Sequence, residues 1–317
     1  MQESIPKQMK AAVIDRYGGP EVLHVATIPV PEPKADEALI RLAAAGVGVW
    51  DPEVRAGEWD IGERRFPKVI GSDGAGEVVA VGSRVKRFRV GDRVYAYAMD
   101  GGCYAEYLAV KQDSAATIPS GLSVEPAGAL GADGVTALCG LEDTLEIRRG
   151  EKLLIFGASG GIGHLAVQLA KRLETEVFAV ASGEDGVALV RRLGADQAVD
   201  GKHGGVVDAL RSFAPQGLDA ALVLSGGKGR DAALEQMKRG GRVAYPNGVD
   251  PEPEAAKGVT VRAYDGNPEA GVFDRLNELI SKEPFHVEVS FYPLEEAAQA
   301  HRDLAKHHLG KLALRMR

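Results

Sequence analysis

The sequence is poor in cysteine, in long hydrophobic runs and in clustered positive charge, and each shortage excludes a class of protein. Only two cysteines, Cys103 and Cys139, occur in 317 residues. They stand far apart without a CxxC motif, which excludes a disulfide scaffold and a zinc framework. We expect both to be small buried residues rather than nucleophiles. This cysteine usage is typical of a reducing compartment and predicts a cytoplasmic protein.

Membranes and nucleic acids are excluded as partners on similar grounds. No apolar stretch reaches the about 18 residues of a membrane helix. The first residues, MQESIPKQMK, lack the apolar core of an export signal. The 38 Lys and Arg residues are outnumbered by 45 Asp and Glu residues, and no block of five like charges occurs. A phosphate backbone would therefore find no basic face.

Glycine, by contrast, is plentiful. The 40 glycines follow no fixed period, which excludes a collagen-like chain and indicates many tight turns. The length predicts roughly two domains, at about 150 residues per domain. From about residue 9 to 120 the chain carries short β-like runs such as GAGEVVAVG and DRVYAYA, with turn signals at 18–20 and 91–92.

The second half alternates strand, glycine turn and amphipathic helix, which is typical of a parallel α/β sheet. Strands are predicted at 153–156, 176–181, 197–200, 220–225, 242–246 and 259–264. The segment after about residue 267 is too short for a core of its own and is expected to pack on an earlier domain. We therefore predict a β-rich domain over 1–130, a nucleotide-binding α/β domain over 131–266 and a return to the first domain over 267–317.

The strongest motif is a glycine-rich turn between strand and helix in LLIFGASGGIGHLAVQLAK, residues 153–171. It is an A-x-G-x-x-G form of the dinucleotide fingerprint. Its second glycine lets the backbone approach a pyrophosphate, its third lets the helix pack closely on the strand, and the helix N-terminus offers free N–H groups. A tight structural turn is the alternative. The predicted nucleotide-binding residues of the turn are Ala158, Ser159, Gly160, Gly161, Ile162 and Gly163.

The end of the second strand of this half distinguishes NAD from NADP. An NAD enzyme places an acidic residue there, roughly 20 residues after the glycines, to bind the ribose hydroxyls. This chain has Ala181 followed by Ser182, which removes a charge that would repel a 2′-phosphate and offers a hydroxyl to it. We therefore predict NADP, bound as NADPH, with Ser182 in its site. Two alternatives stay open: Ser182 only starts a helix cap, or Glu184 or Asp185 holds the ribose of NAD.

The β-rich first half, the motif GASGGIGHLAVQLAK, the preceding GVTALCGL and the closing GKLAL together resemble the medium-chain dehydrogenase/reductase superfamily over nearly the whole chain. The branch that the chain most resembles is the zinc-free, zeta-crystallin-like quinone oxidoreductases. The resemblance implies a Rossmann domain, a doubly wound parallel sheet, inserted into a GroES-like β-rich catalytic domain. We expect a homodimer.

Three positions separate the chain from the zinc-dependent alcohol dehydrogenases of that superfamily. Those enzymes hold a catalytic zinc with a Cys and a downstream Gly-His-Glu. Here Gly48 replaces the Cys, and Ser72 and Asp73 replace the His and Glu, so no thiolate or imidazole ligand remains at either place. Isolated histidines such as His24 and His286 lack metal-ligand spacing. We therefore predict no metal.

The resemblance also implies the catalytic pocket, for which Trp50, Asp51 and Trp59 are the predicted residues. Asp51 and Arg55 match the family pattern, whereas Gly48 stands where the quinone reductases carry an Asn, and Trp59 where they often carry a Tyr. The two tryptophans are expected to form an aromatic wall over the nicotinamide, unless one of them is simply core. Asp51 is a structural partner of Arg55, a backbone cap or a proton donor.

On the cofactor side, Thr136 in GVTAL matches the family threonine near the nicotinamide ribose. Ser225 follows the fourth strand of the α/β half, and Tyr245 and Pro246 end the fifth. These positions lie near the carboxyl ends of strands, where open α/β sheets bind ligands.

The predicted reaction follows from the missing zinc. Without a metal to polarise an alcohol, hydride transfer from NADPH to a small molecule activated by its own conjugation is favoured, namely a quinone or an α,β-unsaturated carbonyl. An enoyl or alkenal reductase of the same fold is one alternative. A non-catalytic, NADPH-binding crystallin-like or regulatory protein is another, and the loss of the Asn at Gly48 favours it.

Overall fold

A computed structural model describes residues 4–59, 61–62, 65–227 and 229–316. The strands are β1 (Gln8–Ile14), β2 (His24–Pro29), β3 (Glu37–Val47), β4 (Lys68–Val69), β5 (Asp73–Val81), β6 (Arg93–Tyr97), β7 (Tyr107–Lys111), β8 (Ala115–Thr117), β9 (Lys152–Phe156), β10 (Glu176–Ala181), β11 (Gln197–Asp200), β12 (Leu218–Val223), β13 (Met237–Pro246), β14 (Thr260–Tyr264), β15 (Val289–Pro293) and β16 (Lys311–Arg315). The helices are α1 (Asp51–Ala56), α2 (Val124–Ala127), α3 (Gly131–Leu138), α4 (Gly161–Arg172), α5 (Gly183–Arg192), α6 (Val206–Phe213), α7 (Arg230–Leu234), α8 (Ala270–Ile280) and α9 (Ala297–Asp303).

These elements divide between two compact units. The β-rich unit runs up to Ala132 and resumes at Pro268, and the α/β unit runs from Asp133 to Asn267. Over the described ranges, no helix combines the length and the hydropathy needed to cross a membrane.

The β-rich unit is organised around the long strand β3. Within the described residues, its larger sheet has the order β15-β16-β3-β5-β6-β8, with β7 also paired to β3, and a smaller sheet has the order β2-β1-β4. Strand β3 pairs antiparallel with β16, β5 and β7, and its buried side chains Ile40, Leu42 and Val47 belong to the core of this unit. Strand β16 lies between β15 and β3, with Leu312 opposite Val47. The last strand of the chain is thus an interior strand of this sheet.

The α/β unit is a parallel sheet in the order β11-β10-β9-β12-β13-β14. Every neighbouring pair in this order is parallel. Strands β9 and β10 are almost wholly buried, as expected where helices cover both faces. The order runs outward from β9 in both directions, so the fold confirms the predicted doubly wound α/β class. In such sheets a ligand crevice forms at the carboxyl end of the strand where the order reverses, which is β9 here.

Candidate active site

The glycine-rich turn leaves β9 and is tied to the neighbouring strand. Gly157 has a φ of 89°, a left-handed conformation that favours glycine. The N–H groups of Gly157 and Ala158 donate to the carbonyl oxygen of Val180 on β10, at 3.1 and 2.9 Å. The turn is therefore anchored to two strands before α4 begins.

The two later glycines of the turn have different surroundings. A Cβ added to Gly163 would lie 2.7 Å from Cα of Ala158 and closer still to the carbonyl oxygen of Gly157. Only glycine lets α4 approach the turn this closely. A Cβ added to Gly160 would meet its nearest neighbour, the carbonyl oxygen of Gly157, at 3.6 Å. The Gly160 side of the turn is open enough for a ligand to come close.

The first turn of α4 has unused hydrogen-bond donors. Gly160 is the N-cap residue, and no side chain caps the helix. The N–H groups of Gly161, Ile162 and Gly163 have no hydrogen-bond partner among the described residues. Free N–H groups at the positive end of a helix bind anions, so this part of the chain fits a pyrophosphate.

Other predicted cofactor residues lie at the same edge of the sheet. The Ser225 hydroxyl lies 2.8 Å from where a Gly157 Cβ would be, which places Ser225 beside the turn. A Cβ on Gly266, in the segment after β14, would lie 2.8 Å from Cα of Thr136. Tyr245 and Pro246 end β13, the strand that pairs with β14. The structure thus brings Thr136, Ser225, Tyr245 and Pro246 to the carboxyl ends of the strands.

The end of β10 lies beside a carboxylate, Asp200 at the end of β11, that the sequence did not reveal. Ala181 is buried and lies opposite Asp200 on β11. Ser182 is the N-cap residue of α5, but its hydroxyl makes no cap hydrogen bond. Asp200 Oδ1 instead accepts the N–H of Gly183 at 3.1 Å. Ser182 thus stands at the predicted cap position without a cap bond from its hydroxyl, and its N–H donates to Ser159 Oγ at 3.2 Å.

Asp200 also organises the turn that follows β11. Its Oδ1 accepts the N–H of Lys202 at 2.9 Å, and its Oδ2 lies 2.7 Å from His203 Nδ1. The N–H of Lys202, together with those other donors, lowers the pKa of Asp200, so the carboxyl stays ionised. Lys202 and His203 are exposed. Arg191, in contrast, donates to the carbonyl oxygen of Ala198 and is used structurally.

A buried polar chain lies in the β-rich unit and starts at α1. Asp51 and Pro52 occupy the first turn of this helix, and Gly57, with a φ of 82°, ends it. Asp51 Oδ2 accepts the N–H of Gly48 at 2.7 Å and the hydroxyl of Tyr104 at 2.6 Å. The backbone cap proposed for Asp51 is therefore present.

The polar chain continues from Tyr104 to the helix α9. Tyr104 Oη lies 3.1 Å from His301 Nε2, and His301 Nδ1 lies 2.7 Å from Nη1 of Arg55. Arg55 Nε donates to the carbonyl oxygen of Gly18 at 3.0 Å. The predicted structural partnership of Asp51 and Arg55 runs through Tyr104 and His301 rather than through a direct hydrogen bond. The polar chain is buried, since none of its four residues is more than 7% exposed: Asp51, Arg55, Tyr104 and His301.

Trp50 and Trp59 lie against each other beside this buried polar chain. Their ring centroids are 6.4 Å apart at an interplanar angle of 64°. Trp50 is half-buried and Trp59 is 44% exposed, so neither is a core residue. A Cβ on Gly48 would lie 3.2 Å from Trp50 Nε1 and 3.3 Å from Asp51 Oδ1. The indole therefore crosses the face of Gly48 where a side chain would stand.

The positions that correspond to zinc ligands are engaged within the protein. One oxygen of Asp73 pairs with the Lys311 ammonium group and the other accepts the N–H of Ala132. The Ser72 hydroxyl lies 3.5 Å from Trp50 Nε1. In the part of the chain that the structure describes, no group of three or more His, Cys, Asp or Glu residues is arranged to hold a metal ion.

Tyr104, His301 and Lys311 were not predicted from the sequence. Arg55 and His301 are 246 residues apart, and Asp73 and Lys311 are 238 apart. Such contacts leave no periodic pattern. The one available signal was that Tyr104 and Lys311 are polar residues inside otherwise apolar β-like runs. Both cysteines are buried, as the sequence predicted.

Comparison with known proteins agrees with this geometry. Residues 34–120 match the family model described as the alcohol dehydrogenase GroES-like domain, and residues 161–264 match the one described as zinc-binding dehydrogenase. The chain is 30% identical to a mouse quinone oxidoreductase over 96% of each chain. It is 38% identical to an Arabidopsis thaliana chloroplastic NADPH-dependent alkenal/one oxidoreductase, over 78% of this chain and 64% of that one. The solved structure of a Coxiella burnetii quinone oxidoreductase superposes with a TM-score of 0.84 at 30% identity, over 98% of this chain and 100% of the other.

Proposed function

This chain belongs to the quinone oxidoreductase branch of the medium-chain dehydrogenase/reductase superfamily, and we propose that it is a zinc-independent, NADPH-dependent reductase of quinones or α,β-unsaturated carbonyls. The observation that carries the proposal is the turn after β9, which is open at Gly160 and has free N–H groups at Gly161, Ile162 and Gly163. That arrangement suits a dinucleotide pyrophosphate.

NADPH, when bound, supplies the hydride. The residues proposed to hold it are those of the turn together with Thr136, Ser182, Ser225, Tyr245 and Pro246. The free hydroxyl of Ser182 and the exposed Lys202 after β11 are proposed to face the 2′-phosphate. The buried Ala181 puts no carboxylate there, and the Asp200 charge is already engaged by Gly183, Lys202 and His203.

The preference for NADPH is tested at Lys202. We expect Lys202→Ala to raise the KM for NADPH about tenfold and to leave the KM for NADH unchanged, because only the phosphate charge is lost as a partner. The matched control is Lys238→Ala. Lys238 is an exposed lysine on β13 that pairs with Asp219 on β12. Equal changes for both cofactors would contradict the assignment.

The acceptor is proposed to bind beside the Trp50–Trp59 pair, whose partly exposed rings offer an aromatic surface. Zinc independence is supported by Asp73, both of whose carboxylate oxygens have partners inside the protein. We further propose that the protein is cytoplasmic and forms a homodimer. Light scattering on the purified protein tests the homodimer.

The decisive experiment is NADPH oxidation with p-benzoquinone and with methyl vinyl ketone. A clear preference for the quinone identifies a quinone reductase. A preference for the enone identifies the alkenal reductase, the second candidate, which the Arabidopsis relative favours. If NADPH binds and neither acceptor is reduced, the non-catalytic, cofactor-binding role is the correct one.

A further inference from the structure

We propose that Asp51 supplies the proton that completes the reduction, and that Arg55, His301 and Tyr104 are positioning residues that leave Oδ1 of its carboxyl as the proton-carrying oxygen. The proposal rests on the proposed function and names the proton donor of that same site. One proton is needed in each turnover, because hydride addition to an enone or a quinone leaves a negative charge on oxygen.

The direction of every hydrogen bond in the chain follows from its first member. A guanidinium group only donates, so Arg55 Nη1 donates to His301 Nδ1. Burial, and next the Arg55 charge, lower the pKa of His301 to about 3, so the ring is neutral and its one proton is on Nε2. Nε2 therefore donates to Tyr104 Oη, and the Tyr104 hydroxyl is left to donate to Asp51 Oδ2.

The two oxygens of Asp51 are consequently different. Oδ2 accepts two hydrogen bonds, from Tyr104 at 2.6 Å and from the N–H of Gly48 at 2.7 Å. Oδ1 is buried and has no hydrogen-bond partner. A proton added to the carboxyl therefore binds Oδ1, since that position breaks no existing hydrogen bond. A fully buried polar atom without a partner is rare in proteins and marks Oδ1 as a site for a ligand atom.

The surroundings of Oδ1 indicate where that ligand atom enters. Gly48 has no side chain to cover Oδ1, and the edge of the Trp50 indole lies over the same face. Trp50 is held there by a 3.5 Å contact from Nε1 to Ser72 Oγ, at the limit of a hydrogen bond. An acceptor that packs beside Trp59 and displaces the edge of the Trp50 indole from the face of Gly48 comes within reach of Oδ1.

The charges around Asp51 suit a proton donor at moderate pH. Burial raises the pKa of Asp51 to about 6, against the lowering effects of the Tyr104 and Gly48 hydrogen bonds. The nearby Lys311 lowers this pKa and Asp73 raises it, to a smaller extent. The titratable or charged groups that face Asp51 from its own and neighbouring elements are Arg55, Asp73, Cys103, Tyr104, His301 and Lys311.

The proposed reduction consists of a hydride transfer to the acceptor and a proton transfer from Asp51. The hydride adds two electrons to the electrophilic carbon, and the π-electron pair of the conjugated system moves onto the carbonyl oxygen. The O–H bond at Asp51 Oδ1 breaks as the new O–H bond forms on the acceptor, and the electron pair of the broken bond stays on the carboxylate. Water from the solvent then returns a proton to Oδ1.

The first test is the pH dependence of kcat in the wild type and in Asp51→Asn. Because the acid form of Asp51 is required, the wild-type kcat should fall about tenfold per pH unit above about pH 6. Asp51→Asn preserves the size of the side chain but has no proton to give. We expect it to lose about a hundredfold in kcat below that pH and to lose the pH dependence, with NADPH titration unchanged.

The second test uses the positioning residue Tyr104. Its hydrogen bond lowers the pKa of Asp51, so Tyr104→Phe should move the midpoint of the kcat profile to higher pH. Tyr95→Phe is the matched control, because Tyr95 is a fully buried tyrosine of the same unit whose hydroxyl donates to Asn277. Tyr95→Phe should leave the midpoint in place.

A third test does not depend on turnover. In protein with ¹³C-labelled aspartate carboxyls, the signal lost in Asp51→Asn should titrate near pH 6 in the wild type and higher in Tyr104→Phe. If Asp51 titrates near its ordinary value of 3.8, or if folded Asp51→Asn keeps wild-type kcat, the proposal is overturned while the reductase function stands. If the wild type reduces neither acceptor, the proposed function itself has failed, and the proton donor with it.

Discussion

At the scale of single residues, Asp51 and His301 lie on either side of Tyr104 and have pKa values displaced in opposite directions. Burial raises that of Asp51 from 3.8 to about 6 and lowers that of His301 from 6.5 to about 3. Both shifts favour the neutral form, which is the form that costs least to bury. From the sequence, Asp51 was a candidate proton donor only through the family resemblance and His301 was not predicted, because the contacts that bury both residues join segments far apart in the chain.

The opposed shifts predict opposed effects of pH on stability. Folded Asp51 keeps a proton up to about pH 6, whereas the unfolded chain loses this proton near pH 3.8. The contribution of Asp51 to the free energy of unfolding therefore falls as pH rises between these values. Folded His301 stays neutral where the unfolded chain is protonated below 6.5, so its stabilising effect is lost as pH falls. From about pH 4 to 6 the two slopes cancel in the wild type.

Removing either residue should uncover the slope of the other. Relative to the wild type, Asp51→Asn should gain about 1.4 kcal/mol of unfolding free energy per pH unit as pH rises from about 4 to 6, and His301→Gln should lose a similar amount. Urea denaturation across this range measures both. Parallel curves for the wild type and both variants would contradict the pKa assignments.

A second prediction at this scale concerns the buried ion pair of Asp73 and Lys311. Lys311→Met leaves the Asp73 carboxylate buried without its cation, which should cost about 3–5 kcal/mol of unfolding free energy. Lys10→Met, at the exposed pair of Lys10 with Glu295, should leave the urea midpoint within error. A similar midpoint shift in both variants would mean that burial does not strengthen the pair.

At the scale of elements, the sequence pattern predicted the bounds of a strand where the apolar run of that strand was continuous and ended at clear turns. Strands β10 and β11 have the predicted bounds, because continuous apolar runs bounded by turns identify buried parallel strands. Strand β13 begins at Met237 rather than at 242, since the polar sequence KRGG hides its first residues. The dinucleotide turn was recognisable because its function depends on local spacing, whereas the Asp51 chain depends on tertiary contacts.

The turn between β9 and α4 allows a matched pair of glycine variants. Gly160→Val has room for its side chain, so it should keep the fold and lose more than about tenfold in NADPH affinity, about 1.4 kcal/mol. Gly163→Ala pushes α4 away from the turn and should instead cost about 1–3 kcal/mol of stability. Fluorescence titration and thermal unfolding separate the two effects. Tight NADPH binding by folded Gly160→Val would refute the site.

At the scale of the whole molecule, the comparisons bring together relatives named quinone oxidoreductase and a family model named for zinc binding, so whether this chain uses zinc is the question that its fold leaves to the site residues. The matching model over residues 161–264 is described as zinc-binding dehydrogenase. The catalytic-zinc ligand positions implied by the family resemblance lie outside that range, within residues 34–120, and here hold Gly48, Ser72 and Asp73, whose carboxylate pairs with Lys311. Under the proposed zinc-independent mechanism, the substrate is activated by its own conjugation and by a side chain such as Asp51.

Metal depletion tests this inference on the intact protein. After dialysis against a chelator, NADPH oxidation with the preferred acceptor and the thermal midpoint should both be unchanged, because the proposed mechanism uses no zinc and both Asp73 oxygens are engaged by Lys311 and Ala132. Added zinc should restore nothing. Loss of activity that returns with one zinc per chain would contradict the mechanism.

The interior position of β16 has a consequence for how the protein is made. A ribosome adds about 5–20 residues per second, and β16 (Lys311–Arg315) leaves it after β3 and after the whole α/β unit, although it forms the link between β15 and β3. The α/β unit, which is continuous from Asp133 to Asn267, is complete before then. During synthesis the nascent chain therefore carries a finished nucleotide-binding unit beside a sheet whose central strand β3 still has a free edge, open to chaperones or to β16 itself.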